Sequence, residues 1–279
     1  MQDVTHIKKF LGIALADKAL RELMGIEWRD TLTKDDGTIQ KLSRKMAYMF
    51  EYPVDYKYAG LTLPGIPWEK SAVEIKSVLE DHLFAEFEGP SHKFKFNSVL
   101  LNLYEDGRDS IRWHSDKERQ LGKNPVIACI NLGATRKFSF MRKREPIEAW
   151  QCWNEIRSIP QEVRERFISD LSDADVRMLQ DLGGNRFTFA RKREDLIAPS
   201  GPLTKELYRM YTKAKIIVLP ETERVDYTVE HGDLLLMGPD CQENWLHSIP
   251  EDKSVSGPRI SLTYRAVPVL SNSERCVIF

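Results

Sequence analysis

The last two thirds of the chain are rich in short segments with the character of β-strands. From about Lys93 onward, apolar and β-branched residues gather in short runs that are separated by turn-forming or charged stretches. These runs are KFNSVLLNLY, VIACINLG, RKFSFMR, IIVLP, DYTV, DLLLM and RISLTYRAV. Many short strands with long excursions between them are typical of an antiparallel sandwich or barrel. We therefore expect an α+β, mainly β fold whose core is built from these strands.

Two helical patterns precede the strands and are expected to buttress them. Apolar residues recur near helical spacing over residues 3–24, and again over 71–88, where Ser71 can cap the first turn. Between the two patterns, IEWRDTL predicts a strand and the KDDG that follows predicts a turn.

A long, heavily charged segment, residues 144–215, interrupts the strand pattern. Its composition favours helices, and it contains Trp150, Trp153 and a Gly183-Gly184 break. We interpret it as an insertion between two strands of one domain that spans residues 1–279, not as an independent domain.

The overall charge gives no general reason for affinity to nucleic acid. Lys and Arg number 41 against 42 Asp and Glu, a net charge of −1, so only a local basic patch could attract phosphates. No apolar run reaches the roughly 18 residues that a transmembrane helix requires. The four cysteines show no CxxC spacing, which favours free thiols in a reducing compartment.

Two histidines, one aspartate and two arginines form the pattern with the clearest chemistry. His114 and Asp116 are two residues apart, so on a strand their side chains would share a face. His247, in NWLHSIP, is expected at the start or end of a later strand. Two histidines and one carboxylate form the facial triad that holds Fe(II) and leaves positions open. Arg259 and Arg265 are six apart in RISLTYR, an even spacing that directs both guanidiniums to one face, where they could bind a dicarboxylate such as 2-oxoglutarate.

Longer segments around these residues carry a family resemblance. FNSVLLNLYEDGRDSIRWHSDKE, NPVIACINLGATRKFSF, HGDLLLMGPDCQENWLHSIP and PRISLTYRAV resemble the AlkB family of Fe(II)/2-oxoglutarate-dependent dioxygenases, above all the eukaryotic DNA-repair branch of homologues 2 and 3. The earlier RKMAYMFEYPVDYKYAG is similar to the segment that precedes the metal motif in that branch, which makes residues 44–92 a nucleotide-recognition-like segment. The resemblance covers roughly 44–143 and 216–267. It implies a double-stranded β-helix, or jelly roll, with N-terminal buttressing helices and a helical insertion, using Fe(II), 2-oxoglutarate and O2.

The resemblance also implies roles for individual residues. The iron ligands would be His114, Asp116 and His247. The 2-oxoglutarate site would contain Asn102, Tyr104, Arg259, Ser261 and Arg265. The target base would meet Glu118 at its exocyclic amine and Tyr58 as a stacking ring. Ser261 stands where the bacterial founding member of the family has asparagine. His231, in EHGD, is expected to have a structural role in a turn.

The activity implied by the resemblance is oxidative removal of alkyl groups from N1 of adenine or N3 of cytosine in DNA or RNA, releasing formaldehyde and succinate. A monomer that repairs alkylated DNA is the expected form. The near-neutral charge and the 144–215 insertion leave open a small molecule or a protein as the substrate. A nucleic-acid-binding scaffold without catalysis is a third reading, and the intact HxD motif, distal histidine and arginines argue against it.

The tail, residues 268–279, ends in Cys276-Val277-Ile278-Phe279, which fits a CaaX prenylation box. Matches of four residues arise easily by chance, and a single prenyl chain anchors weakly. The expected location is intracellular, in the nucleus or the cytoplasm.

Overall fold

The computed structural model describes residues 3–51, 55–58, 60–86, 95–118, 121–145, 148–182, 201–219 and 221–267. The chain divides into two compact units. One comprises Met1–Lys143 and Glu223–Phe279, and the other comprises Arg144–Thr222.

The first unit contains fourteen strands and three helices among the described residues. The strands are β1 Val4–Ile7, β2 Arg29–Lys34, β3 Ile39–Phe50, β4 Tyr56–Tyr58, β5 Leu61–Leu63, β6 Gly65–Ile66, β7 Ser98–Tyr104, β8 Ile111–His114, β9 Ile127–Gly133, β10 Arg136–Arg142, β11 Arg224–Val229, β12 Leu234–Met237, β13 Trp245–Ile249 and β14 Arg259–Arg265. The helices are α1 Ile13–Met24, α2 Lys70–Glu86 and α7 Cys241–Asn244.

These strands form two sheets whose pairing is antiparallel except for the short β6. The larger sheet has the order β1-β12-β9-β14-β7-β3-β2-β5-β4, with β6 parallel to β3. The smaller sheet has the order β11-β10-β13-β8. A mainly antiparallel architecture with helices is thus confirmed, and it is consistent with a jelly roll.

The two sheets pack face to face through a shared apolar core. Tyr104, Ile127 and Leu235 of the larger sheet meet Phe140 and Trp245 of the smaller one. The opposite face of the larger sheet is covered by α1 and α2, whose buried residues pack on the central strands. This second cluster includes Leu23, Ile75, Leu79, Leu101, Ile130 and Leu262. Because both of their faces are covered, β7 and β14 are buried at every position, which explains their nearly continuous apolar runs.

The second unit is helical in its described part. It contains α3 Ala149–Ser158, α4 Gln161–Ser169, α5 Asp173–Leu182 and α6 Gly201–Lys213. Cys152, Ile156, Leu179, Leu207 and Tyr211 form its own buried core. None of the helices described in either unit is long and apolar enough to cross a membrane.

The structure corrects two secondary-structure predictions. The first helix does not span residues 3–24, because Val4–Ile7 forms strand β1 against β12 and the helix begins at Ile13, after Gly12. The run IIVLP is not a strand either. The amides of Ile216 and Ile217 bond to the carbonyl of Tyr211 and end α6, so these apolar residues complete the helical core. For Val4–Ile7 the decisive contact is with the distant strand β12, and for IIVLP it is with the end of α6. Local periodicity reveals neither contact.

Candidate metal and cosubstrate site

A cavity lies between the two sheets, and charged or polar side chains line much of it. The larger sheet contributes Arg44, Asn102, Tyr104, Arg259, Ser261, Thr263 and Arg265. The smaller sheet and the loop after β8 contribute His114, Asp116, Glu118 and His247. Nearly all of the sequence-predicted site residues therefore meet in one place.

The two histidines come together through strand register. His114, the last residue of β8, is paired directly with His247 of β13, and their rings are 4.2 Å apart between centroids. His247 lies in the middle of its strand, not at the end where the sequence analysis expected it. Nδ1 of His114 is 2.8 Å from the carbonyl oxygen of Arg112. The other ring nitrogen, Nε2, faces Asp116. Candidate ligand atoms of His114, Asp116 and His247 all lie within 4.8 Å of one another.

Asp116 reaches this group from a loop, which corrects the prediction that it shares a strand with His114. Strand β8 has already ended, yet Nε2 of His114 is 3.7 Å from Oδ1 of Asp116. The other carboxylate oxygen accepts a hydrogen bond from Nη2 of Arg265 at 2.7 Å. Burial alone would raise the pKa of Asp116, but the charge and hydrogen bond of the adjacent Arg265 guanidinium, together with the neighbouring His247 and His114, outweigh it and hold that pKa well below its usual range. Asp116 is therefore ionised at neutral pH and available to a cation.

His247 is prepared as a neutral ligand. Burial, together with the nearby His114, lowers the pKa of His247 to about 3. Its Nδ1 is buried and has no hydrogen-bond partner among the described residues. Metal ions are coordinated by neutral imidazole, which is the form that this environment favours for His247.

The low pKa of His247 predicts that the metal-free protein loses stability on mild acidification. An unfolded histidine takes up a proton below about pH 6.5, whereas folded His247 remains neutral to about pH 3. Between these values the unfolded chain binds the extra proton, so lowering the pH from 7 to 5 should reduce the free energy of unfolding by about 2 kcal/mol. Urea unfolding in the presence of a chelator measures this, and His247→Gln should reduce the dependence on pH. An equally steep dependence in that variant would contradict the assignment.

The opposite end of the cavity holds a buried cation with unused donors. Arg259 is only 1% exposed, its Nε donates to Oδ1 of Asn131, and its guanidinium lies 4.9 Å from the ring centre of Tyr104. Its Nη1 and Nη2 are buried without a hydrogen-bond partner among the described residues. An arginine in this state has both donors of its fork available for a carboxylate.

Comparison with known families decides the assignment. Residues 3–265 match the model of the 2OG-Fe(II) oxygenase superfamily. The chain belongs to this superfamily.

Within this superfamily, the chain is similar to members of the AlkB family, in the branch of homologues 2 and 3. It is 28% identical over 261 residues to alpha-ketoglutarate-dependent dioxygenase alkB homolog 3 of Homo sapiens, covering 92% of this chain and 64% of that protein. The homolog 3 protein of Bos taurus gives the same figures. DNA oxidative demethylase ALKBH2 of Mus musculus is 28% identical over 260 residues, covering 92% and 77% of the two chains. The chain thus spans a little less than two thirds of the length of the homolog 3 relatives.

The site fits the Fe(II) and 2-oxoglutarate that this superfamily uses. Two imidazoles and one carboxylate are the donor set of the facial triad. The two Nη atoms of Arg259, which have no partner among the described residues, could both donate to one carboxylate of a dicarboxylate. Tyr104, Asn102 and Ser261 line the same cavity. The even spacing in β14 has the predicted result, since Arg259, Ser261, Thr263 and Arg265 all line the cavity.

The predicted substrate residues are only partly described. Glu118 lines the cavity, and its Oε1 accepts a hydrogen bond of 2.5 Å from the hydroxyl of Tyr56. Burial raises the pKa of Tyr56 well above its ordinary value, so this phenol stays protonated and acts as a donor. Tyr58 belongs to β4, but its side chain lies outside the described residues.

Sequence reasoning missed several residues of this superfamily member's site. Arg44 donates from Nε to Oδ1 of Asn102 at 2.7 Å, and Tyr56 accepts from Nη1 of Arg265 at 3.2 Å. Both lie in RKMAYMFEYPVDYKYAG, a segment whose similarity had been noted without assigning them roles. Asn131 and Gln242, on β9 and α7, offered no local signal. His231 is held by the amide of Gly133 and by Asp17, in keeping with a structural role.

Proposed function

We propose that the protein is an Fe(II)/2-oxoglutarate-dependent oxidative demethylase of N-alkylated bases, N1-methyladenine and N3-methylcytosine, in DNA or RNA. The ALKBH2 relatives are DNA oxidative demethylases by name, which supports DNA as the first substrate to test. An intracellular monomer is part of the same proposal. Cys276, whose prenylation was considered above, lies outside the described residues.

One observation in the cavity carries the choice of substrate. Oε2 of Glu118 is buried and has no hydrogen-bond partner among the described residues, in the same cavity as the triad. A buried, unpaired carboxylate oxygen costs free energy unless a donor or a cation meets it. N1-methyladenine and N3-methylcytosine supply both, because methylation places a positive charge on the ring and the exocyclic amine donates a hydrogen bond. A neutral, unmethylated base offers only the amine.

The roles of the chain's own residues follow from their positions. His114, Asp116 and His247 would hold the iron, while Arg259, Tyr104, Asn102 and Ser261 would hold 2-oxoglutarate. Bound together, iron and cosubstrate activate O2 for hydroxylation of the alkyl carbon. Arg265 holds Asp116 ionised and in place through its 2.7 Å hydrogen bond. Glu118 would orient the target base, and Tyr58 would stack on that base after it has been extruded from the base stack.

The test is formaldehyde release from oligonucleotides that carry N1-methyladenine or N3-methylcytosine, with Fe(II) and 2-oxoglutarate supplied. We expect wild type to release formaldehyde, and His114→Ala to release none above background. Glu118→Gln keeps the shape but removes the charge, so kcat/KM should fall about 10- to 100-fold, the range for a charge-assisted hydrogen bond. Turnover of 2-oxoglutarate without a nucleic acid should persist in Glu118→Gln.

Glu105→Gln is the matched control, because Glu105 is exposed and pairs with Lys45. It should behave as wild type. Absence of formaldehyde from wild type, while 2-oxoglutarate is still consumed, would contradict the proposed substrate class but not the iron site. Parallel reactions with single-stranded, double-stranded and RNA oligonucleotides would assign the form of the substrate.

A further inference from the structure

Asp116 differs from the two histidines of the triad in how its backbone is held. His114 and His247 are paired with each other across β8 and β13. Asp116 follows the end of β8, where no ladder hydrogen bond holds the chain. Its amide instead donates to Oε1 of Gln242 at 2.8 Å, a contact between residues 126 positions apart.

Gln242 is well placed to fix this loop. Its side chain is buried, with the residue 2% exposed, and its Nε2 lies 3.4 Å from the sulfur of Met237. It belongs to α7, the turn that leads directly into β13 and so to His247. The Gln242 side chain therefore connects the loop that carries Asp116 with the strand that carries His247.

Lys143 adds a second connection between the same two segments. Its Nζ donates to Oγ of Ser115 at 2.9 Å and to the carbonyl oxygen of Gln242 at 2.6 Å. Ser115 lies between His114 and Asp116 in sequence. One ammonium group thus holds both the ligand loop and the residue that anchors it.

We propose that Gln242 is a positioning residue for the metal centre, which places the Asp116 carboxylate against the two imidazoles, and that Lys143 supports it. The inference rests on the iron site of the proposed function. Groups that orient metal ligands commonly change metal affinity 10- to 100-fold when they are removed. Without the Gln242 acceptor, Asp116 would keep its bond to Arg265 but lose the constraint on its backbone.

The test is the affinity of the full chain for Co(II), a spectroscopic substitute for Fe(II), measured by visible absorption during titration of metal-free protein. Gln242→Met keeps the approximate volume and removes the acceptor, so the Kd should rise about 10- to 100-fold. Gln242→Glu keeps an acceptor oxygen at the same length, so its Kd should rise less than that of Gln242→Met. Lys143→Met should raise the Kd by a smaller factor than Gln242→Met.

Lys117→Met is the matched control. Lys117 is exposed and bonds Oε2 of Glu243 at 2.9 Å, so it joins the same loop to the same turn without touching the amide of Asp116. We expect its Kd to stay within about twofold of wild type, since surface ion pairs contribute little. An equal loss in Lys117→Met and Gln242→Met would overturn the assignment, because it would reflect general loosening of the loop.

The outcomes separate this inference from the function on which it rests. If wild type binds Co(II) and folded Gln242→Met binds it equally well, Gln242 has no positioning role. If Gln242→Met does not fold, an unchanged Kd in Lys143→Met, which alters only a half-buried side chain, overturns the proposal in the same way. If wild type itself fails to bind Co(II), the iron site fails first.

Discussion

His247→Ala should abolish both formaldehyde release and the visible charge-transfer band that Fe(II) and 2-oxoglutarate form together under anaerobic conditions. The substitution leaves two protein ligands, His114 and Asp116, and replaces a buried ring with a gap. Removing a group that merely orients a ligand already costs 10- to 100-fold in affinity, so loss of the ligand itself should exceed about 100-fold. The band intensity across an Fe(II) titration gives the affinity directly.

His231→Ala is the control for this experiment. His231 is another histidine of the same unit and is partly buried, but it bonds the amide of Gly133 and the carboxylate of Asp17 instead of a triad residue. Its removal should lower the stability of the fold and leave the band and the Fe(II) affinity unchanged. A band of normal intensity in His247→Ala would show that the iron is bound elsewhere.

Arg259→Met should raise the KM for 2-oxoglutarate by about 30-fold or more while Fe(II) affinity stays near that of wild type. Arg259 is fully buried, and the described residues leave its two terminal nitrogens without partners. Losing one member of a buried, hydrogen-bonded charge pair costs roughly 2–5 kcal/mol, which corresponds to about 30- to several thousand-fold. The measurement is initial rate against 2-oxoglutarate concentration, with Co(II) titration in parallel.

Arg259→Lys separates charge from geometry at this position. Lysine keeps the positive charge but lacks the planar fork, so its KM should fall between those of wild type and Arg259→Met. A KM that is unchanged in Arg259→Met would mean that 2-oxoglutarate binds without this arginine. A parallel loss of Co(II) affinity would mean that the substitution had disturbed the whole cavity.

The parts of the site that could be predicted from sequence are those that strand geometry determines. Arg259 and Arg265 share a face because six residues along a strand restore the same side. His114 and His247 were found through the HxD spacing and the NWLHSIP segment, because their strands β8 and β13 are not among the apolar runs. The central strands β7, β9 and β14 were also recognisable, since burial on both faces requires nearly continuous apolar runs.

The parts that could not be predicted depend on contacts between distant segments. Val4–Ile7 matched a helical period but is a strand because β12 offers it an edge. Asp116 lies outside the strand that its spacing suggested, and Gln242 holds it from 126 residues away. Tyr56 contributes its hydroxyl to Glu118 and Arg265, although the family resemblance had assigned a role to Tyr58 and none to Tyr56.

The position of β14 has a consequence for how the site comes into existence during folding. It follows all the other described strands in sequence, yet it occupies the middle of the larger sheet, between β7 and β9. Contacts of this kind join segments far apart in the chain and form slowly, because the intervening loops must close first. Strand β14 carries both Arg259, which we propose binds 2-oxoglutarate, and Arg265, which bonds the carboxylate of Asp116. A nascent chain that has not yet inserted β14 therefore lacks both arginines, so the cosubstrate site and the contact that orients Asp116 form in the same late step.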